Sequence, residues 1–215
     1  MWDSLTLPWR GCLEEAWDAY RAGSIPIGAV VTDGAGRIVA RGRNRIFQAD
    51  AEGRHIYGHR LAHAEMNALN ALDYAAVDPA ACVLYTTTEP CPLCTGAIRV
   101  VRLRDVRYAS RDAAGGSIDL LQANAYMRRG QVAVAGPESA DLEAIIVAMH
   151  VEFGLARRDD AWHWVVDAWD AAAPCGVGLG RVLCHSGELR ALRDADAPVS
   201  TVVDTLAARL PPRIE

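Results

Sequence analysis

Two short stretches restrict how this chain can fold more than anything else in it. Leu61-Ala62-His63-Ala64-Glu65-Met66-Asn67 carries an H-x-E, and Thr88-Glu89-Pro90-Cys91-Pro92-Leu93-Cys94 carries a P-C-x-x-C. One imidazole and two thiolates supply three ligands of the kind that suit a tetrahedral zinc ion with its fourth position open. A closed structural site needs a fourth protein ligand, and none stands at the usual short spacing. The fold must therefore bring His63, Cys91 and Cys94 to one point, with one Zn2+ per chain expected there. Glu65 lies close enough to His63 to act on a water at the open position without ligating the metal.

The hydrophobic pattern around these stretches alternates strands with helices. Pro8 to Ala22 predicts a helix, with Trp9, Leu13, Ala16, Trp17 and Tyr20 at helical spacing and Gly23-Ser24 ending it. Ile27 to Asp33 and Arg37 to Arg43 are strand-like and joined by Gly34-Ala35-Gly36, which predicts a hairpin closed by Asn44. Arg45 to Arg60 is a polar connection of no clear period that ends just before His63, so it is expected at the mouth of the site. Ala62 to Ala75 predicts a helix with His63 in its first turn, and Ala81 to Thr87 a buried strand. Pro92 suits the first position of a further helix. Both ligand-bearing segments would then present helix N-termini, where free N–H groups and the dipole favour thiolate.

Asp105 to Ser110 and Gln131 to Ala135 predict two more strands, with a helix over Ile118 to Met127 between them and another from Ser139 ending at Gly154. Strands and helices in this order imply an α/β fold with helices on both faces of a sheet. Residues 1–156 are expected to form that domain. Beyond Arg157 the character changes: Trp162, Trp164 and Trp169 crowd together, a glycine-rich run covers Pro174 to Gly180, and a helix-like tail covers Val199 to Leu210. Residues 157–215 are read as an extension packed on the domain or on a partner subunit. A sharper reading places one of its aromatics over the substrate.

Composition narrows the partners. All 22 basic residues are arginine, and the net charge of −5 disfavours a large polyanionic partner while leaving room for a local basic patch. No apolar run is long enough to span a bilayer, and the first residues lack a signal-peptide pattern, so the expectation is a cytoplasmic protein with no membrane partner. Of the six cysteines, Cys12, Cys82, Cys175 and Cys184 lack framework spacing and are expected as free thiols. Cys175, Cys184 and His185 match no usual zinc module.

The paired motifs and the order of elements resemble the cytidine-deaminase superfamily, nearest its branch of guanine deaminases and bacterial tRNA adenosine deaminases. The likeness covers residues 5–155, and Gly116-Ser117-Ile118-Asp119-Leu120-Leu121 also looks like that branch. The resemblance implies a three-layer α/β/α sandwich with a mixed central sheet, zinc on His63, Cys91 and Cys94, and proton shuttling by Glu65. It also implies base recognition by Asn44 and a homodimer. In that chemistry zinc lowers the pKa of a water from about 15.7 to about 7, and the glutamate moves the protons. The connection from Asn44 to His63 is longer than in tRNA-editing members, and the tail after residue 157 has no counterpart.

Asn44 offers both a donor and an acceptor, as base recognition requires, but it also suits a turn after a strand. Phe47, His55, Tyr57 and His59 are substrate-contact candidates by position alone. Three functions remain open. The first is a hydrolytic deaminase of a purine or pyrimidine nucleobase or nucleoside, releasing ammonia; the acidic balance favours it, and Glu89-Pro90-Cys91-Pro92 looks closer to guanine deaminases. The second is a tRNA adenosine deaminase, with Arg99, Arg102, Arg104, Arg107 and Arg111 as a phosphate-contacting face. The third is a catalytically inactive, zinc-stabilised binding protein of the same fold.

Overall fold

The computed structural model describes residues 1–51, 53–157 and 162–211. Helix α1 (Leu7–Arg21) leads into β1 (Gly28–Thr32) and β2 (Ile38–Arg43), then α2 (Ala64–Ala71), β3 (Val83–Thr88), α3 (Pro92–Val100) and β4 (Asp105–Ser110). A short α4 (Ala125–Arg128), β5 (Ala133–Ala135) and the long α5 (Ala140–Ala156) follow. Four further helices complete the described chain: α6 (His163–Ala172), α7 (Pro174–Ser186), α8 (Glu188–Asp194) and α9 (Val199–Ala207).

The strands form one mixed sheet in the order β2-β1-β3-β4-β5. β1 runs antiparallel to both β2 and β3, whereas β3, β4 and β5 are parallel. Every residue of β1 is buried, as expected of a strand covered on both faces. Its alternation divides the core. Val30 joins Trp9, Leu13 and Trp17 of α1 and Ile145 and Met149 of α5 on one side. Ala29 and Val31 face Ala64, Ala68 and Leu69 of α2 and Ile98 of α3 on the other. Helices thus cover both faces of the sheet, giving the three α/β/α layers expected.

Several boundaries differ from the sequence pattern, each for a local reason. α2 stops at Ala71 rather than Ala75, and the Tyr74 hydroxyl donates to Leu69 O at 2.8 Å, satisfying a carbonyl at the end of the helix. The helix expected over Ile118 to Met127 is split into a 3-10 turn at Ile118–Gln122 and α4, because Asn124 Oδ1 accepts from Met127 N at 3.0 Å and starts a new cap. α5 continues past Gly154, which marks a contact rather than a stop. A side chain there would meet the Trp162 ring at 2.5 Å.

The glycine-rich run after Pro174 is helical. Gly176 and Gly180 of α7 lie on α5, and a Cβ at either would fall within 2.7 Å of Val147 Cβ or Val151 Cβ. The glycines let the two helix backbones approach closely. The same apolar cluster that holds α1 against α5 extends to Leu183, Leu189, Val202 and Leu206 of the last three helices. No helix among the described residues is long and apolar enough to cross a membrane.

Candidate metal centre

His63 caps the N-terminus of α2, Cys91 caps that of α3, and Cys94 falls in the first turn of α3. The two helix N-termini expected to carry the ligands therefore do so, and Pro92 occupies the first helical turn. His63 Nδ1 lies 3.4 Å from Cys91 Sγ and 3.5 Å from Cys94 Sγ, and the two sulfurs are 3.7 Å apart. A tetrahedral zinc with ordinary Zn–S and Zn–N bonds sets sulfurs about 3.8 Å apart and nitrogen about 3.6 Å from each. The triangle found matches that spacing on all three edges. Among the described residues no other group of three potential ligands converges, and Cys175, Cys184 and His185 form none.

Glu65 sits beside this triangle, 3 % exposed, in the first turn of α2. Its Oε1 accepts from the Thr86 hydroxyl at 3.1 Å, and its Oε2 lies 3.4 Å from Cys94 Sγ. Burial pushes its carboxyl above the usual range, with the charge of His63 working the other way. Burial likewise works against a charged His63, but the neighbouring Cys91 and Glu65 outweigh it and hold the imidazole above its ordinary value. The Cys91 thiol is held down to about 4 by its hydrogen bonds with Cys94 and His63. The two thiols thus divide: negative charge is favoured on Cys91, while the hydrogen bond with Cys91 and burial push the Cys94 thiol well above its ordinary value. A carboxyl of raised proton affinity stands within reach.

Asn44 is buried beyond the end of β2. Its Oδ1 accepts from Ser24 Oγ at 2.8 Å and from Ile46 N at 3.1 Å, so its acceptor is committed within the chain. The other loop candidates are placed differently. Phe47 stacks on Phe153 of α5, ring centroids 6.4 Å apart, with the Arg157 guanidinium 3.9 Å from the Phe47 ring. His59 is exposed, and its Nδ1 accepts from Leu61 N at 3.3 Å. His55 Nε2 lies 3.1 Å from Arg41 O, and Tyr57 is exposed.

Of the tail tryptophans, Trp162 packs edge-on against Phe153 at 5.7 Å, Trp169 is buried against His150, and Trp164 is exposed. These contacts belong to packing against α5. Arg107 and Arg111 are tied up in ion pairs with Asp105 and Glu143, leaving only part of the expected basic face available.

Sequence reasoning missed three residues that build the site. Thr86 carried no signal beyond its place in an apolar strand. Glu89 joins the two loops behind the metal ligands, its Oε2 accepting from Asp112 N at 3.4 Å and its Oε1 from Ile118 N at 3.3 Å. Asn67 organises the long connection: its Oδ1 accepts from Ile56 N at 2.7 Å, and its Nδ2 donates to Arg43 O at 3.0 Å and Ile56 O at 3.1 Å. A polar residue on the buried face of α2 was the available sign for Asn67.

Residues 7–110, which include Asn44, Glu65 and all three ligands, match the family model described as the cytidine and deoxycytidylate deaminase zinc-binding region. The tRNA-specific adenosine deaminase of Bacillus subtilis is 35% identical over 131 residues, covering 57% of this chain and 74% of that protein. The guanine deaminase of the same organism is 38% identical over 101 residues, covering 44% of this chain and 57% of that one. A tRNA(Ile)-lysidine synthase of Deinococcus deserti is 35% identical over 115 residues, 51% of this chain, but the chain spans only 20% of its length. The structure of NE0047 in complex with 2,6-diaminopurine shares the fold at a TM-score of 0.50 and 22% identity, covering 69% of this chain and 83% of that one. With the family's zinc-binding region laid across the whole triad, and a relative matched over most of its length at this identity, the chain belongs to the cytidine and deoxycytidylate deaminase family.

Proposed function

We propose that the protein is a zinc-dependent hydrolytic deaminase of a free nucleobase or nucleoside. The observation that carries this reading is Glu65: a buried carboxylate, fixed by Thr86, standing beside a three-ligand metal triangle. A zinc ion held by His63, Cys91 and Cys94 supplies Lewis-acid activation of water near neutral pH. The chain then has to move two protons. Thr86 holds Oε1, so Oε2 of Glu65 takes a proton from the attacking water and passes it to the ring nitrogen next to the reacting carbon. The same carboxyl carries the second proton to the departing amine. Oxygen stays on the ring carbon, the C–N bond breaks, and ammonia leaves. Asn44 donates its amide N–H to an acceptor on the base and orients the ring.

The small substrate is supported by the recess of the site and by the charge around it. Glu65 and Asn44 are both nearly fully buried. Two of the arginines considered for a phosphate face are spent on Asp105 and Glu143. The second reading, a tRNA adenosine deaminase, draws its support from the B. subtilis relative, of which this chain covers 74%. Ammonia release from a panel of bases, nucleosides, nucleotides and tRNA by the zinc-loaded protein separates them. Turnover of a free base or nucleoside, lost in Glu65→Ala while zinc is retained, is the expected result. Release from tRNA alone moves the assignment to the second reading, and zinc-loaded protein silent on every substrate would leave a binding protein.

A further inference from the structure

Four arginines gather at the end of the sheet opposite the metal. Arg99, at the C-terminal end of α3, Arg102 and Arg104, just before β4, and Arg129, just after α4, line a cleft of about 260 Å3 together with Gly130. No carboxylate lines it, and among the described residues none of these four guanidinium groups forms an ion pair. On a chain of net charge −5, whose other arginines largely pair with acids, such a cluster is a local reversal of sign.

The cleft is also built rather than incidental. Arg99 Nε donates to Tyr126 O at 2.9 Å, and its guanidinium lies 4.3 Å from the Tyr126 ring centroid, which fixes where its charge sits. Gly130 makes the room: a Cβ there would lie 2.6 Å from Arg99 Cδ and 2.9 Å from its Nε. Arg102 is held at φ 67, a left-handed conformation that glycine or asparagine adopts far more readily, yet arginine occupies it.

We propose that this cleft is a phosphate-binding site, separate from the metal centre. Several guanidinium forks converging on one small volume match the tetrahedral oxygens and multiple charge of phosphate groups better than a single carboxylate. The six residues of β4 put about 17 Å between its start, next to Arg104, and its end at Ser110, beside the metal-bearing loop. A ligand in the cleft therefore anchors away from the reacting ring. Its phosphates come from a free polyphosphate or from an RNA backbone, and the inference stands apart from which base is deaminated.

Titration of the zinc-loaded, full-length protein with inorganic pyrophosphate in a calorimeter tests it. Saturable 1:1 binding that weakens with added salt is expected, falling at least tenfold in the R102Q/R104Q double variant. Gly130→Ala, which removes no charge, should weaken binding as well by displacing Arg99. No saturable heat in the wild type, or equal binding in the double variant (pyrophosphate then going to the metal), would overturn the proposal. In a second arm, a short RNA hairpin that competes with pyrophosphate, and loses affinity in the double variant, identifies the backbone as the source. Pyrophosphate binding that the hairpin does not disturb identifies a free polyphosphate.

Discussion

Thr86 of the central strand β3 donates its hydroxyl to Oε1 of Glu65 across 3.1 Å. Both side chains are buried, and the carboxylate's other polar neighbours among the described residues are Cys94 Sγ and the backbone of Glu65 itself. Replacing threonine with the nearly isosteric valine removes the donor while keeping the strand's volume. Thr86→Val is expected to retain zinc and fold while lowering kcat about tenfold to a hundredfold, as the loss of outer partners does at other metal centres. Steady-state kinetics with zinc analysis read both quantities. An unchanged kcat would mean that Glu65 needs no such restraint.

The ligand triangle itself makes a different prediction. Cys91 stands at the cap of α3, so its loss leaves two ligands, His63 and Cys94, on different helices. Cys91→Ala should bring zinc below one per chain and lower the melting temperature, because the metal cross-links the start of α2 to the start of α3. A strong chelator added to the wild type should reproduce both effects. Metal content by mass spectrometry and thermal melts of the same samples provide the check, and a variant that keeps stoichiometric zinc would show that the triangle is not the binding site.

Asn44 is constrained more tightly than its place after a strand suggests. With Oδ1 taken by Ser24 and by Ile46 N, aspartate at this position can keep the accepting oxygen but must turn a second acceptor where the NH2 stood. Asn44→Asp should therefore lower kcat/KM about a hundredfold, equivalent to roughly 3 kcal/mol, mainly through KM. Zinc content should not change. A loss confined to kcat would place Asn44 in proton movement instead of recognition.

The metal site was legible because its chemistry is narrow: few residue types bind zinc, and His63, Cys91 and Cys94 stand in a pattern that periodicity alone would not produce. The strands and the proline-started α3 were legible for similar reasons of local pattern. What escaped was set by distant contacts. Gly176 and Gly180 weaken a helix when considered alone, yet here they admit the backbone of α7 against Val147 and Val151 of α5. The orientation of Asn44 depends on Ser24, in the turn after α1, a pairing that no local pattern signals. Phe47 looked like a candidate for the substrate because its loop ends beside His63. Its ring packs against both Phe153 and Arg157, distant contacts that tie the loop to the end of α5.

His150, in the middle of α5, leads to a prediction about stability. It is 3 % exposed, its ring lies 4.9 Å from that of Trp169, and its Nδ1 has no hydrogen-bond partner among the described residues. Burial pushes its pKa down to about 3 from an ordinary value of 6.5, so the folded protein keeps it neutral. Between those two values the unfolded chain binds a proton that the folded chain refuses, and stability must fall as the pH drops from 6.5 toward 3. At pH 5 that loss amounts to about 2 kcal/mol relative to neutral pH. Acid also loosens metal ligands, but His150→Phe leaves the ligands alone and replaces a buried, unpaired nitrogen with carbon. The variant should equal or exceed the wild type in stability at pH 7 and lose about 2 kcal/mol less on going to pH 5. Urea unfolding of both proteins at the two pH values measures the difference. Parallel losses in the two proteins would mean that His150 finds a proton, or a partner, in the folded state after all.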